Sequence, residues 1–96
     1  MEIHMSPEEL EAEATGYESD RDQFMEVVNS MATRISRLAE SWKGQEIEAF
    51  ATQFADLQPG FDATAELIGD IAAQLRSISS AMVESDSNIA SQIGVK

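Results

Sequence analysis

The side chains able to do chemistry in this sequence are few and poorly placed for it. There is one histidine, His4, and no cysteine. His4 precedes the first helical segment, so nothing holds it in a Ser-His-Asp arrangement. Thiolate nucleophiles, cysteine-ligated metals and disulfides are excluded outright. Carboxylate is the plentiful group. Glu9 and Glu13 lie one helical turn apart, which is ordinary spacing for exposed acids. The Glu-x-x-His pairs of di-iron bundles, EF-hand spacing and a Gly-rich phosphate loop are all missing from the sequence. This inventory predicts no enzyme, no cofactor, no metal site and no small-molecule substrate.

Charge narrows the partners further. Eighteen acids and six bases over 96 residues leave a formal charge of −12 and a pI near 4.1. Nucleic-acid binding needs clustered Lys and Arg to neutralise phosphate, so it is disfavoured. An anionic membrane repels such a chain at neutral pH. Protonating the carboxylates in an acidic compartment would relax that objection, which keeps a surface-active effector as a weak third option. The apolar runs are too short for a transmembrane helix. The N-terminus shows neither a basic n-region nor an apolar h-region, so no cleavable signal peptide is expected. On these grounds alone the expectation is a cytoplasmic protein.

The elements that position these side chains are helical. Ser6 is a good N-cap, Pro7 fits the first helical position, and Glu9 completes a capping box. Met5 and Leu10 occupy the places of a hydrophobic staple. A stripe follows with steps alternating four and three: Leu10, Ala14, Tyr17, Arg21, Phe24, Val28, Met31, Ile35, Leu38 and Trp42. It predicts helix 1 over about 7–41. Arg21 is its only charged member, expected at the rim or paired with Asp20, Glu18 or a partner's acid. Gly44 is placed to end that helix in a left-handed conformation, with a turn at about 42–45. A second stripe runs Ile47, Phe50, Phe54, Leu57, Phe61, Thr64, Ile68, Ile71, Leu75, Ile78 and Met82. It predicts helix 2 over about 46–85. Pro59 and Gly60 interrupt this stripe in composition and not in phase, which favours a kink at 59–60 over a loop. The polar run from Glu84 to Asn88 predicts a frayed tail over about 86–96.

Two long helices with a short joint make an antiparallel hairpin, a single domain spanning residues 1–96. Its apolar stripes are wider than one helix–helix seam can cover. Two hairpins packed face to face would bury the remainder as an elongated four-helix bundle. The expected partner is a second copy, with a paralogous partner less favoured.

With those elements placed, the chain resembles the WXG100 family, small leaderless substrates of type VII secretion systems. Trp42-Lys43-Gly44 matches the W-x-G motif at the turn. The opening Ile3 to Leu10 resembles the family's first-helix start. Met82, Asp86, Ile89 and Ile93 fit its C-terminal export pattern, an apolar residue followed at four, seven and eleven positions by an acid and two more apolar residues. Actinobacterial members often have Tyr where this chain has Met82. Met82 therefore fits members from low-GC Gram-positive bacteria better, and such members resemble homodimers. The resemblance implies secretion without a cleavable signal peptide from a cytoplasmic pool, recognition by a membrane secretion ATPase, and no catalysis. It implies a role as substrate, co-factor or chaperone of export, with a possible effector role. The rival expectation is a cytosolic dimeric adaptor that dimerises through the same stripes. Trp42 is expected to plug the end of the bundle, or to be recognised by the export machinery together with the partner's tail.

Overall fold

A computed structural model describes residues 5–42 and 44–92, with side chains described through Asp86. It consists of α1, Pro7–Ser41, and α2, Gln45–Gln92. The two run antiparallel as a hairpin with extents of 75 × 18 × 17 Å. The radius of gyration is 21.8 Å, against about 13 Å for a compact domain of this length.

The start of α1 is locally determined. Ser6 Oγ accepts the backbone N–H of Glu9 at 3.1 Å, and Glu9 Oε1 accepts the N–H of Ser6 at 3.2 Å. Two donors that the helix leaves unpaired are thereby satisfied. Glu8 and Glu9 lie in the first turn, at the positive end of the helix dipole.

Helix α1 ends differently from the expectation. The capping residue is Trp42, extended at φ −124° and ψ 104°, and its N–H donates to the Leu38 carbonyl at 2.8 Å. Gly44 does not adopt the left-handed region, and a Cβ there would meet only Trp42 Nε1 at 3.8 Å. Its carbonyl accepts the N–H of Glu48 at 3.3 Å, so Gly44 opens α2 rather than closing α1. The turn is correspondingly shorter, since α2 begins at Gln45. Lys43 lies outside the described residues.

Helix α2 passes through Pro59 without interruption. The carbonyl left unpaired by the missing N–H belongs to Ala55, on an exposed stretch where water can satisfy it. Helix α2 also continues to Gln92, past the stop expected near residue 85. Ser85, Asp86, Ser87 and Asn88 are only mildly poor helix formers, at about 0.5 kcal/mol each. No Gly or Pro occurs between Gly69 and Gly94 to stop the helix.

The seam between the helices is made of small side chains. Ala14, Val28, Ala65, Ala72 and Ser79 are buried, and Val28 is the largest side chain sealed completely. Ala65, Ala72 and Ser79 recur every seventh residue along α2. Helices that meet through Ala approach more closely than helices that meet through Leu or Phe. The stripe expected to form the dimer and core surface is only partly covered within one hairpin. Leu10 and Ile47 are buried, and Phe24, Met31, Ile35, Phe54, Phe61, Ile68, Ile71 and Leu75 are half-buried. Tyr17, Leu38, Phe50, Leu57 and Ile78 are exposed. Within one hairpin the centre of the seam is formed by Ala65 and Ala72, which lie beside that stripe.

Candidate protein interface

Much of the apolar surface follows a pattern. On α1 the positions Leu10, which is buried, Phe24 and Met31, which are half-buried, and Tyr17 and Leu38, which are exposed, recur every seven residues. On α2 the positions Phe50, Leu57, Thr64, Ile71 and Ile78 do the same. Paired in antiparallel order, Leu38 falls beside Phe50, Met31 beside Leu57 and Leu10 beside Ile78. Two open hollows support this alignment near the turn. One, about 230 Å³, is lined by Met31, Arg34, Ile35, Leu38, Phe50 and Phe54. The second, about 210 Å³, continues along Phe50, Gln53, Phe54 and Leu57. Phe61 packs edge-on against Phe24 at 6.2 Å and in a tilted arrangement against Phe54 at 5.5 Å. One face of the hairpin therefore carries an apolar strip at coiled-coil spacing, interrupted on α2 by Thr64.

The total accessible surface is 7353 Å². A compact monomer of this mass would expose about 5,400 Å². The excess is larger than the roughly 800 Å² that each partner buries in a standard protein interface.

A charged clamp sits near the open end of the hairpin. Arg76 on α2 reaches across to α1, bonding Glu11 and Glu18 and approaching Thr15 Oγ1 at 3.3 Å. Glu11 and Glu18 are seven residues apart, so the guanidinium fork bridges one heptad. Hydrogen bonds to Glu18 and then Glu11 raise the Arg76 pKa above its ordinary value. The sign follows directly. A raised folded-state pKa gives stability that is lost only as pH rises through it, and for arginine this lies beyond any working range. The cation of the clamp is therefore fixed. We expect Arg76→Met to lower the melting temperature. Adding Glu11→Gln and Glu18→Gln should then cost nothing further, because the three side chains act as one unit. Thermal unfolding of the single and triple variants measures this.

The sequence did not single out Arg76. The signal was available as an arginine opposite two acids one heptad apart, and it becomes visible only once the helix pairing is known. Arg21, which was singled out, does not cross to α2's acids. Its Nε donates to Asp22 at 3.1 Å, and its side chain lies over Gly69, where an added Cβ would approach Nη1 to 3.2 Å.

The remaining expected site residues lie at the two ends of the rod. Trp42 is 58% exposed at the turn, so it plugs nothing within one hairpin. At the far end Ser79 Oγ donates to the Pro7 carbonyl at 3.2 Å. Beyond that contact, at the first residue of α1, α2 continues for about 20 Å. Met82 is half-buried there and Asp86 is exposed. Ile89 falls within α2, its side chain outside the described set, and Ile93 lies outside the described residues. Trp42 and the tail of the same chain are thus separated by the length of the molecule.

Two other chemistries are not supported by the geometry. Among the described residues no three of His, Cys, Asp or Glu converge as a metal site. No described helix is long and apolar enough to cross a membrane.

Comparison with known proteins gives a consistent picture. Residues 2–87 match the family model WXG100, described as proteins of 100 residues with WXG. Type VII secretion system extracellular protein A of Staphylococcus aureus (strain USA300) is 31% identical over 94 residues, covering 98% of this chain and 97% of that protein. Among solved structures, Geobacillus thermodenitrificans EsxA matches with a TM-score of 0.81 and 30% identity, over 93% of this chain and 98% of that one. A mutant of the secreted protein EsxB from Bacillus anthracis str. Sterne matches in fold, with a TM-score of 0.79 at 23% identity over 90% of this chain and 96% of that one.

Proposed function

Because the chain belongs to the WXG100 family, we propose that it is a secreted protein of a type VII system, exported as a dimer of two antiparallel hairpins. Its role is that of a substrate or co-factor of export, without catalytic activity. The observation that carries the dimer is the pair of heptad rows left on one face. An apolar strip of that length has no reason to stay in water, and a second copy presents the same strip.

Antiparallel packing also supplies a reason for the separated ends. It lays the overhanging end of one α2, with Met82 and Asp86, beside the exposed Trp42 of the other chain. The proposed recognition element is then composite: a tryptophan from one protomer and a helical acid-and-apolar strip from its partner. The membrane secretion ATPase is the proposed reader. The spacing of Met82, Asp86, Ile89 and Ile93 puts all four on one face of a continuous helix. A relative named as a type VII secretion system extracellular protein supports this role.

The test is the culture medium. The intact, unprocessed chain should accumulate there in cells with a working secretion ATPase and remain inside cells that lack it. A chain retained inside the cell under every growth condition would sink the export role and return the adaptor.

A further inference from the structure

Charge is distributed unevenly along the rod. The turn-proximal segment 32–55 holds three bases, Arg34, Arg37 and Lys43, and three acids, Glu40, Glu46 and Glu48. It is neutral, and the rest of the chain carries the entire −12. The arginines there are also unusual in their contacts. Arg21 and Arg76 both hold carboxylates, whereas Arg34 and Arg37 make no ion pair with any described acid. In a chain with three acids for every base, two unpaired guanidiniums one turn apart need a reason.

Their surroundings suggest it. Arg34 and Arg37 line an open hollow of about 320 Å³ with Leu38 and Ser41. Arg34 and Leu38 also border the apolar hollow over Phe50 and Phe54. The two cations therefore stand on the rim of the apolar strip, where polar residues of an interface belong. Their occupant should offer carboxylates beside apolar side chains.

We propose that this occupant is the α2 end of a second copy, so that Arg34 and Arg37 of one protomer face Asp86 of the other. Asp86 shares the Met82 face of α2, while Glu84, on the opposite side of that helix, adds only to the negative field of the same end. The inference rests on the dimer reading above and adds the contact that sets its direction and register. Arg34 and Arg37 lie about 6–11 Å inward from the last residue of α1, and Glu84 and Asp86 about 9–12 Å inward from Gln92. Two rods overlapping along their full length, head to tail, bring those positions level. Met82 and Val83 supply the apolar neighbours, and Glu84 and Asp86 are exposed and free of described ion pairs. The head-to-tail orientation brings the neutral turn beside an acidic end twice per dimer. The head-to-head alternative would stack acidic end on acidic end and leave the arginines facing one another.

The experiment is a charge swap on the full chain, with the dimer dissociation constant measured by sedimentation equilibrium and helicity by circular dichroism. Arg34→Glu with Arg37→Glu should raise the dissociation constant at least tenfold. Adding Glu84→Lys and Asp86→Lys to the same chain should restore it to within a few-fold. Adding Asp20→Lys and Glu26→Lys instead restores the net charge without the pairing, and should not rescue. Equal rescue by both additions, or no loss from the first pair in a chain that still dimerises, overturns the contact and leaves the dimer intact. If the charge-reversed chain loses helicity, Arg34→Gln with Arg37→Gln serves in its place. Weakening of the dimer by that neutral pair supports the contact, and unchanged affinity overturns it. A wild-type chain that is monomeric throughout the micromolar range would refute the dimer itself, a different and separable result.

Discussion

Leu57→Asp should leave this protein monomeric where the wild type is a dimer, with both helices still formed. Leu57 is 53% exposed on the lone hairpin, so an aspartate there meets water and costs its folding little. In a two-fold dimer the same substitution enters the interface twice. An unpaired carboxylate resists burial by several kcal/mol. Two such groups should raise the dissociation constant by at least about 100-fold. Sedimentation equilibrium across the micromolar range reads the change directly. The wild type's melting temperature should rise with concentration, and the variant's should not. Thr33→Asp is the matched control. Thr33 is exposed and lies on the opposite side of α1 from the Leu10 to Leu38 row. It should leave the affinity unchanged. Equal loss in both variants would mean that added charge, and not this face, weakens the dimer. Unchanged affinity for Leu57→Asp would remove the apolar strip as the interface.

Several features of this molecule can be read locally, and these were visible in the sequence. The capping box at Ser6 and Glu9 needs only four consecutive residues. The continuity of α2 through Pro59 is carried by phase, because Leu57 and Phe61 stay in register on either side. The W-x-G turn is marked by its own composition. What stayed hidden depends on how one helix meets the other. The small row Ala65, Ala72, Ser79 and the large row Phe50, Leu57, Ile71, Ile78 share the same period. Hydropathy ranks Phe and Leu above Ala, so periodicity points to the large row as the core. Close approach of the two helices selects the small one. Arg76 was hidden for a related reason, since its acids are recognisable only after the pairing of α1 with α2 is known. Trp42, expected either at the end of a bundle or as a recognition element, is a question for the dimer, because a single hairpin leaves it exposed in both cases. Each of these misses concerns which faces meet, and none concerns where the helices lie.

The composition of that seam carries the second large effect. Ala72→Phe should destabilise the protein by about 3 kcal/mol or more, at the upper end of what overpacking costs. Ala72 is 1% exposed, on the same heptad row as Ala65 and Ser79 and with the buried Ala14 on the facing helix. The gap there is one methyl group deep on each side. A phenyl ring is several times the volume of the methyl group it replaces in this sealed position, so the helices must separate. Separation would propagate, because the Arg76 clamp and the Ser79 to Pro7 hydrogen bond both span the same stretch of seam. Splaying at the open end would also spoil the strip that a second copy must meet, so dimer affinity should fall together with stability. Ala73→Phe places the same ring one residue along, at an exposed position, and should change stability by no more than about 0.5 kcal/mol. Urea denaturation at matched protein concentration compares the two. Equal midpoints would mean that the helices tolerate bulk between them. The close approach through alanine would then be no requirement of the fold, and the large rows would be free to serve as the core instead.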